Sequence, residues 1–273
     1  MQPRIPYVGL VLLGSALGAC SRAPGAPTAA LPSSTSTPSA ASAASPAATG
    51  TGHADDPPAA KPVGMAASSV APGPATAAGG TPQVWSFESD RTGGAPRAFS
   101  FGRTRSGAPG RWIVQAEPDA PSGANVLAQL SADGTDSRFP IAVADAPPLR
   151  DVRVSVQCKP ISGVVDQACG LVFRYRDENN YYLTRANALE DNVRLYRVKN
   201  GNRSQFDGWS GPVTSKAWHE LRVDARGDHL EVYWEGKKII DGRDSTFPEA
   251  GKVGVWTKAD SVTYFDDLSE TPL

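Results

Sequence analysis

The side chains best suited to chemistry lie between residues 185 and 192. Arg185 and Asn187 fall on a predicted strand, and Glu190 and Asp191 follow it directly. A carboxylate beside guanidinium and amide groups binds sugar hydroxyls and transfers a proton as acid or base. Asp191 and Asn192 are also typical of a solvated turn between two strands. The segment therefore predicts either a site in which Glu190 or Asp191 is the base, or an ordinary hairpin connection.

Three further residues are candidates for the same site. On one interpretation His219 is a proton shuttle, and on the other it is an exposed residue at the start of a strand. Lys258 and Asp260 follow a predicted strand and either contact substrate or form a surface turn. His219 and His229 are the only histidines after residue 83. This part of the chain therefore excludes a zinc site of three histidines and leaves little for a Ser-His-Asp triad.

Arginine and aromatic side chains offer a binding surface. Arg174 and Arg185 lie on neighbouring predicted strands and form a polar platform, unless both are ordinary exposed strand residues. Trp209 lies in an irregular segment rich in Gly and Pro, and we expect its ring to be exposed for stacking on a sugar. Calcium is the one cofactor that the sequence suggests, at Asp266 and Asp267, although adjacent strand carboxylates point to opposite faces.

Composition limits where a fold can form and what it can bind. The 273 residues include 27 Lys and Arg against 28 Asp and Glu, so the net charge of -1 gives no general attraction to nucleic acid. Among the 21 aromatic residues, only Tyr7 precedes Trp85, which predicts that the hydrophobic core lies in residues 84–273. We expect this domain to be monomeric and to contact a membrane only through its N-terminus.

The N-terminus predicts an exported protein. Residues 1–20 contain Arg4, then an apolar run from Ile5 to Leu17, which is typical of a signal peptide. The run ends in Leu-Gly-Ala-Cys, and this resembles the bacterial lipobox, whose cysteine is lipidated. The resemblance implies acylation of Cys20 and anchoring in the bacterial cell envelope, at the outer membrane because Ser21 follows the cysteine. An ordinary secretory signal with a chance cysteine is the alternative.

Residues 21–83 predict a disordered tether. Ala, Ser, Thr, Pro and Gly supply 53 of these 63 residues, and no aromatic residue occurs among them. Such a segment buries too little apolar surface to offset the entropy lost on ordering. The prolines favour extended stretches, so we expect the tether to hold the domain away from its anchor.

The remainder, residues 84–273, predicts an all-β protein of two packed antiparallel sheets. Short runs of Val, Ile, Phe, Tyr and Trp alternate with turn residues, and alternation places Leu171, Phe173 and Tyr175 on one face and Arg174 on the other. The clearest predicted strands are Val152–Val156, Leu171–Arg176, Tyr181–Ala186, Val193–Val198, Glu220–Ala225, Leu230–Trp234, Val253–Thr257 and Val262–Asp266, with earlier ones near Trp85, Trp112 and Val126–Leu130.

Two cysteines remain once Cys20 is assigned to lipid. Cys158 and Cys169 flank a short loop, and in an exported protein this predicts a disulfide bond. Two free buried thiols are the alternative.

Several motifs in the second half of the chain resemble one family of bacterial exported domains. They are Val165-Asp166-Gln167, Gly170–Tyr175, Asp177–Tyr182, Arg185–Asn192, Gly254–Ser261 and Phe265–Asp267. Together they resemble the 3-keto-disaccharide hydrolase domain family, which is family-16-like, and the match covers most of residues 84–273. The resemblance implies a concanavalin A-like jelly-roll sandwich. The E-x-D-x-E strand of retaining glucanases with this fold is absent from the sequence.

The resemblance also implies an activity, the cleavage of 3-keto-glycosides. A ketone at C3 acidifies the C2 proton, so a single base drives elimination of the C1 substituent. On that chemistry Glu190 or Asp191 is the base and His219 the proton shuttle. The other candidates, Arg174, Arg185, Asn187 and Lys258, orient the substrate. A glycan-binding or adhesion module without catalysis is the alternative from another functional class, and a purely structural lipoprotein is a third.

Overall fold

A computed structural model describes residues 80–273 of the chain. The predicted signal peptide, the lipidation site Cys20 and the tether up to residue 79 lie outside the described residues. No helix of the described residues has the length and apolar character needed to cross a membrane. Residues 80–273 form fifteen strands joined by turns and loops.

Eight strands form one antiparallel sheet. They are β1 (Gln83–Trp85), β3 (Trp112–Ala116), β4 (Asn125–Gln129), β6 (Val152–Ser162), β11 (His219–Arg226), β12 (His229–Trp234), β13 (Lys237–Arg243) and β15 (Val262–Pro272). Their order is β13-β12-β11-β6-β15-β4-β3, and the short β1 pairs with β15. The first and last strands of the described chain are therefore neighbours in this sheet.

Seven strands form the second antiparallel sheet. They are β2 (Phe99–Arg105), β5 (Arg138–Ala144), β7 (Ala168–Asp177), β8 (Asn180–Asn187), β9 (Asn192–Lys199), β10 (Asn202–Ser210) and β14 (Lys252–Trp256). Their order is β10-β9-β8-β7-β14-β5-β2. The prediction of two packed antiparallel sheets is confirmed.

The core lies between the two sheets. Val152, Val154 and Val156 face it from β6, and Leu171 and Phe173 face it from β7. These side chains are at most 1% exposed, and those of β6 alternate with polar residues that face away. The period of two that marks a half-buried strand therefore predicted these faces correctly.

Four strands were missed by the sequence pattern, namely β2, β5, β10 and β13. The strand β5 contains Pro140, which argues against a central strand because proline gives no backbone N–H to the sheet. The strand β10 is mostly polar and contains Gly208. Neither strand has the alternation that identifies its neighbours, and tertiary pairing supplies what local propensity does not.

Arg174 is not on an exposed platform, which corrects the predicted alternation along β7. The residue has a φ of 47°, and the pairing of β7 with β8 shifts register between Phe173 and Asp177. Such a bulge sends the next residue to the other face. Tyr175 therefore packs on the outer face of the sheet, opposite the core that Leu171 and Phe173 enter, and the Arg174 side chain is fully buried.

The Arg174 guanidinium binds three backbone carbonyls. Nε donates to Arg150 at 2.9 Å, Nη1 to Phe247 at 2.9 Å and Nη2 to Gly227 at 2.6 Å. These carbonyls lie on three separate connections between strands. Arg174 therefore fastens loops at one end of the sandwich, and it is unavailable to a ligand.

The predicted disulfide between Cys158 and Cys169 is confirmed. It joins β6 of one sheet to β7 of the other, with both residues fully buried in the core. A covalent link between the two sheets limits the conformations open to the unfolded chain.

We expect the double variant Cys158→Ala/Cys169→Ala to lose about 3 kcal/mol of unfolding free energy, since the disulfide closes a short loop. Urea denaturation with and without dithiothreitol measures the loss. The reductant should destabilise the wild-type protein by a similar amount and leave the double variant unchanged. Equal midpoints for oxidised wild type and double variant would contradict the prediction.

A second cluster of buried side chains covers the outer face of the seven-stranded sheet. It includes Ile141, Val172, Tyr181, Leu183 and Trp256, which are all fully buried. Apolar residues on both faces make this sheet unlike its partner, whose β6, β11 and β12 have one polar face. The outer cluster gives a rigid base for the polar groups that lie at its margin.

Candidate functional site

The predicted site residues of β8 meet those of β9 at the margin of this outer cluster. Asn187 pairs with Asn192, and Leu183 pairs with Tyr196, so the odd-numbered residues of β8 share the outer face with the even-numbered residues of β9. Residues from the loops near 136, 166 and 258, and from β10, complete the group. We call this group the polar cluster: Asp136, Asp166, Arg185, Asn187, Glu190, Asn192, Tyr196, Arg203 and Lys258.

Arg185 is the centre of one half of the polar cluster. Its Nη1 donates to Asn192 Oδ1 at 2.5 Å, and its Nη2 donates to Glu190 Oε2 at 2.8 Å and to the Tyr196 hydroxyl at 3.1 Å. The residue is 4% exposed. Its Nε has no acceptor among residues 80–273. The fork of the guanidinium is therefore fixed in orientation and retains one free donor.

Glu190 is the exposed member of this half. Its side chain is 47% exposed, and Oε2 also accepts a hydrogen bond from Asn192 Nδ2 at 3.0 Å. Burial acts to raise the pKa of Glu190, but the Asn192 hydrogen bond and the Arg185 guanidinium outweigh burial and hold the pKa below its usual range. Glu190 is therefore a fixed anionic hydrogen-bond acceptor and a weak base.

Lys258 and Asp166 are the centre of the other half. Lys258 Nζ lies 2.9 Å from Asp166 Oδ2 and 2.6 Å from Asp136 Oδ1, and Asp166 Oδ1 accepts from Asn187 Nδ2 at 2.9 Å. Asp166 is 1% exposed, whereas Asp136 is largely exposed. A chain of hydrogen bonds thus runs from the surface at Asp136 into the sheet at Asn187.

The Asp166 and Lys258 pair shows the two effects that compete in a buried ion pair. Burial raises the pKa of Asp166, and the charge and hydrogen bond of Lys258 only partly oppose this. Burial acts to lower the pKa of Lys258, but hydrogen bonds to Asp136 and Asp166 outweigh it and raise the pKa. Lys258 therefore stays charged, and it is the group that makes a buried Asp166 carboxylate tolerable.

Arg203 lies over the aromatic rings of the outer cluster. Its guanidinium carbon is 4.7 Å from the ring centroids of Phe139 and Tyr196 and 5.7 Å from that of Trp256. Burial lowers the pKa of Arg203, and its Nη1 has no partner in the part of the chain that the structure describes. Arg185 and Arg203 thus each have one N–H donor that has no acceptor among the described residues.

Besides Arg174, four predicted site residues have structural contacts. Asp191, with a φ of 48°, accepts a hydrogen bond from the Val213 N–H at 3.0 Å and so holds a neighbouring loop. The Asp260 carboxylate accepts the backbone N–H groups of residues 164, 165 and 166. Trp209 belongs to β10 and packs against the core between the sheets, so its ring is not the exposed platform that we expected.

His219 is the fourth, and it lies on the other sheet. Its Nδ1 is 2.7 Å from Glu235 Oε1, its Nε2 is 2.8 Å from the carbonyl oxygen of Thr214, and its ring stacks on Trp234 with centroids 4.7 Å apart. Both ring nitrogens are thus occupied by groups outside the polar cluster. The structure brings together Glu190, Arg185, Asn187 and Lys258 and leaves His219 out.

Asp266 and Asp267, the carboxylates suggested for calcium, point toward the same residue, although strand alternation predicts that they point to opposite faces. A register shift in β15 after Asp266 and a φ of 47° at Asp267 turn both side chains toward Ser122. The Ser122 N–H donates to Asp266 Oδ2 at 3.1 Å. The Ser122 hydroxyl shares its proton between Asp267 Oδ1 at 2.7 Å and Asp266 Oδ2 at 3.4 Å. Burial raises the pKa of Asp266 to about 6. The Asp266 carboxylate is thus engaged by hydrogen-bond donors, whereas a calcium ion there would need several further oxygen ligands around it.

Four members of the polar cluster escaped the sequence analysis as site residues: Asp136, Asp166, Tyr196 and Arg203. The one available signal was Asp166, which lies within a motif of the family resemblance. Arg203 had no such signal in the sequence. Because β10 was not predicted as a strand, the side of the sheet that Arg203 faces could not be assigned. Tyr196 alternates regularly along β9, but alternation does not show that its hydroxyl reaches a guanidinium on the next strand.

The chain is similar in sequence to one Bacillus subtilis protein and in fold to two solved structures, one of which is also from Bacillus subtilis. A levanase of strain 168 is 30% identical over 106 residues, which are 38% of this chain and 15% of the levanase. The carbohydrate-binding module CBM66 of Bacillus subtilis is 21% identical with a TM-score of 0.50, covering 62% of this chain and 94% of the module. The cellulose-induced protein Cip1 is 12% identical with a TM-score of 0.50, and the match covers 69% of this chain and 96% of Cip1.

These likenesses confirm the predicted jelly-roll fold. No known protein-family profile matches the sequence. The chain spans a small part of the levanase, and the solved structures are below a quarter identical, so the function has to be argued from the site itself.

Proposed function

We propose that residues 80–273 form a glycan-binding module whose binding face is the polar cluster. The observation that carries this proposal is the arrangement around Arg185, where Glu190, Asn192 and Tyr196 are fixed by one guanidinium at hydrogen-bond distance. Sugars present neighbouring hydroxyls that donate and accept, and a rigid set of carboxylate, amide and guanidinium groups matches them at low entropic cost.

The comparisons support carbohydrate as the ligand class. A levanase acts on levan, and CBM66 is named for binding carbohydrate. Levan is therefore the first glycan to test. The levanase likeness involves 15% of that enzyme, which is the proportion of an accessory module rather than of a whole hydrolase.

Cleavage of 3-keto-glycosides remains a prediction from the family resemblance, and the geometry favours binding over it. Elimination needs a base whose pKa lies near the working pH. Arg185 and Asn192 hold the pKa of Glu190 below its usual range, and His219 is hydrogen-bonded on the other sheet. Incubation with 3-keto-glycosides and their unoxidised parents tests cleavage directly, because release from keto substrates that is lost in Glu190→Gln would establish the enzyme.

We also propose that the module is held at the bacterial envelope by a lipid on Cys20. The support is the lipobox resemblance of Leu-Gly-Ala-Cys alone. Dual acylation gives stable anchoring, whereas the net charge of the chain supplies no attraction to a membrane surface. Mass spectrometry of membrane-extracted protein should find acylated Cys20, and a free thiol there would contradict the proposal.

Glu190→Gln should weaken levan binding about 10- to 100-fold, because a charge-assisted hydrogen bond to a hydroxyl becomes a neutral one. Isothermal titration calorimetry of the full-length protein measures the change, with inulin and xylan as comparison glycans. Glu235→Gln is a matched control, since that carboxylate is similarly exposed but lies on the other sheet beside His219. Equal affinities for wild type and Glu190→Gln would contradict the proposed face.

A further inference from the structure

A cavity of about 160 Å³ opens at one end of the sandwich, on the inner face of the eight-stranded sheet. Six residues line it: Thr81, Gln83, Pro147, Leu149, Glu270 and Pro272. Gln83 and Glu270 are direct partners in the pairing of β1 with β15, while Pro147 and Leu149 belong to the connection between β5 and β6. The polar cluster lies on the outer face of the other sheet, so this cavity is a separate place.

Glu270 is the unusual residue of this cavity. It lies opposite Val154 and two residues after Leu268, both of which face the core, so its side chain also points between the sheets. The residue is 4% exposed, and its Oε2 atom has no hydrogen-bond partner among residues 80–273. Nearly every buried polar atom of a folded protein has a partner. The carboxyl group of Glu270 is therefore placed for a partner that this part of the chain does not supply.

The Glu270 carboxyl group also lacks a countercharge. Burial raises its pKa, and no charged neighbour among the described residues opposes the effect of burial. Asp166 is similarly buried, but Lys258 Nζ lies 2.9 Å from its carboxylate. A buried carboxylate without a countercharge destabilises the protein that carries it. A positively charged ligand would remove this cost, whereas an anionic ligand would add to it.

The remaining walls of the cavity restrict which cation fits. Pro147, Leu149 and Pro272 present hydrocarbon, and Thr81 and Gln83 add one hydroxyl and one amide. A calcium ion takes about six to eight oxygen ligands, so a cavity with a single carboxylate is a poor match for a bare metal ion. A primary ammonium group on a short alkyl chain is a better match. Its nitrogen donates to the carboxylate, and its chain packs on the hydrocarbon walls.

We propose that the cavity around Glu270 binds a small primary amine, whose ammonium group pairs with the Glu270 carboxylate while its alkyl chain packs against Pro147, Leu149 and Pro272. Pockets for drug-sized ligands begin at about 300 Å³, so the smaller volume of this cavity limits the ligand to a compact amine. The site does not depend on the proposed glycan-binding function, because it uses no residue of the polar cluster.

Titration of the full-length protein with propylamine hydrochloride at neutral pH, followed by nuclear magnetic resonance, tests the proposal. Propylammonium should bind about tenfold more tightly than methylammonium, because two further methylene groups become buried. The probe 1-propanol has the same chain without the charge, and calcium chloride supplies charge without a chain. Each of these two should bind at least about tenfold more weakly than propylammonium.

Glu270→Gln keeps the size of the side chain and removes its charge, so it should weaken propylammonium binding at least about tenfold. Its melting temperature should equal or exceed that of the wild type, because a buried carboxyl group without a countercharge is lost. Glu235→Gln is the matched control, since it changes an exposed carboxylate of the same sheet that lies outside the cavity, and it should bind propylammonium like the wild type.

Thr81→Trp is a second variant that leaves the carboxyl group in place. Thr81 is exposed and precedes β1, so a large ring there should obstruct the cavity and weaken propylammonium binding without disturbing the fold. Equal affinities of wild type and Glu270→Gln for propylammonium would overturn the proposal, and so would an absence of binding by the wild type. A melting temperature of Glu270→Gln well below that of the wild type would also overturn it, because Glu270 would then have a structural partner.

Discussion

Replacing Lys258 with methionine should lower the free energy of unfolding by about 3–5 kcal/mol at pH 8, among the largest effects of any substitution in the polar cluster. Asp166 is 1% exposed, and Lys258 Nζ, 2.9 Å away, is its countercharge. Methionine fills similar space without charge, so the variant leaves a buried carboxylate that keeps the hydrogen bond from the Asn187 amide and the more distant charge of Arg185. Urea denaturation followed by tryptophan fluorescence measures the loss.

The pH dependence separates this effect from lost packing. Burial already raises the pKa of Asp166, and the loss of Lys258 should raise it further. A carboxyl whose folded pKa exceeds its unfolded value binds its proton more tightly in the folded state, so its contribution to stability is lost as pH rises through the folded pKa. The Lys258→Met variant should therefore be less destabilised at pH 5, where Asp166 is closer to its neutral form.

Two variants complete the test. Asp166→Asn/Lys258→Met removes both charges, while the amide oxygen that replaces the carboxylate still accepts from Asn187, and it should recover most of the lost stability. Lys252→Met removes an exposed lysine that pairs with the largely exposed Asp145, and it should change stability by no more than about 0.5 kcal/mol. A loss in Lys258→Met that is independent of pH and persists in the double variant would argue for packing alone.

Arg174→Met should lower the unfolding free energy by about 4 kcal/mol, a large part of the roughly 5–15 kcal/mol that stabilises an ordinary domain. The guanidinium is fully buried and donates to the carbonyls of Arg150, Phe247 and Gly227. Methionine satisfies none of them, so three carbonyls on separate loops lose a charged donor at once. Burial lowers the pKa of Arg174, and the charges of Tyr182 and of the Asp151 carboxylate, 3.7 Å from Nη2, partly oppose this.

A neighbouring arginine supplies the control for Arg174. Arg176 lies two residues further along β7, is more than a third exposed and sits over the Phe247 ring. Arg176→Met should cost less than about 1 kcal/mol, because Glu249, the carboxylate with which Arg176 pairs, is largely exposed. Thermal unfolding by circular dichroism distinguishes the two variants. A similar melting temperature for both would show that the three carbonyl contacts contribute little.

The sequence was sufficient for the parts of the fold that follow local rules. Hairpin turns such as the one at 199–202 and the inward faces of β6 and β11 follow from turn chemistry and a period of two. The pairing of Cys158 with Cys169 followed from export and from the short loop between them. That Arg185 and Glu190 lie close together was also predictable, because Glu190 belongs to the tight connection that follows the strand of Arg185.

The rest of the site depends on contacts that local rules do not contain. Asp166 and Lys258 are distant in sequence and meet only because β7 and β14 pair. Arg174 looked like an exposed strand residue, and a one-residue bulge turned it inward. A period of two does not account for such an insertion, so every face assigned after the bulge along that strand is reversed.

The pairing of β1 with β15 decides which way the module is presented. Gln83 lies opposite Glu270 in the eight-stranded sheet, while the polar cluster lies on the outer face of the seven-stranded layer. Any support or fusion partner joined ahead of Gln83 is therefore attached to the layer behind the binding surface. Immobilised through that end, the domain keeps the exposed part of the polar cluster, at Glu190 and Asp136, accessible to a polymer in front of it, without steric hindrance from its own attachment point.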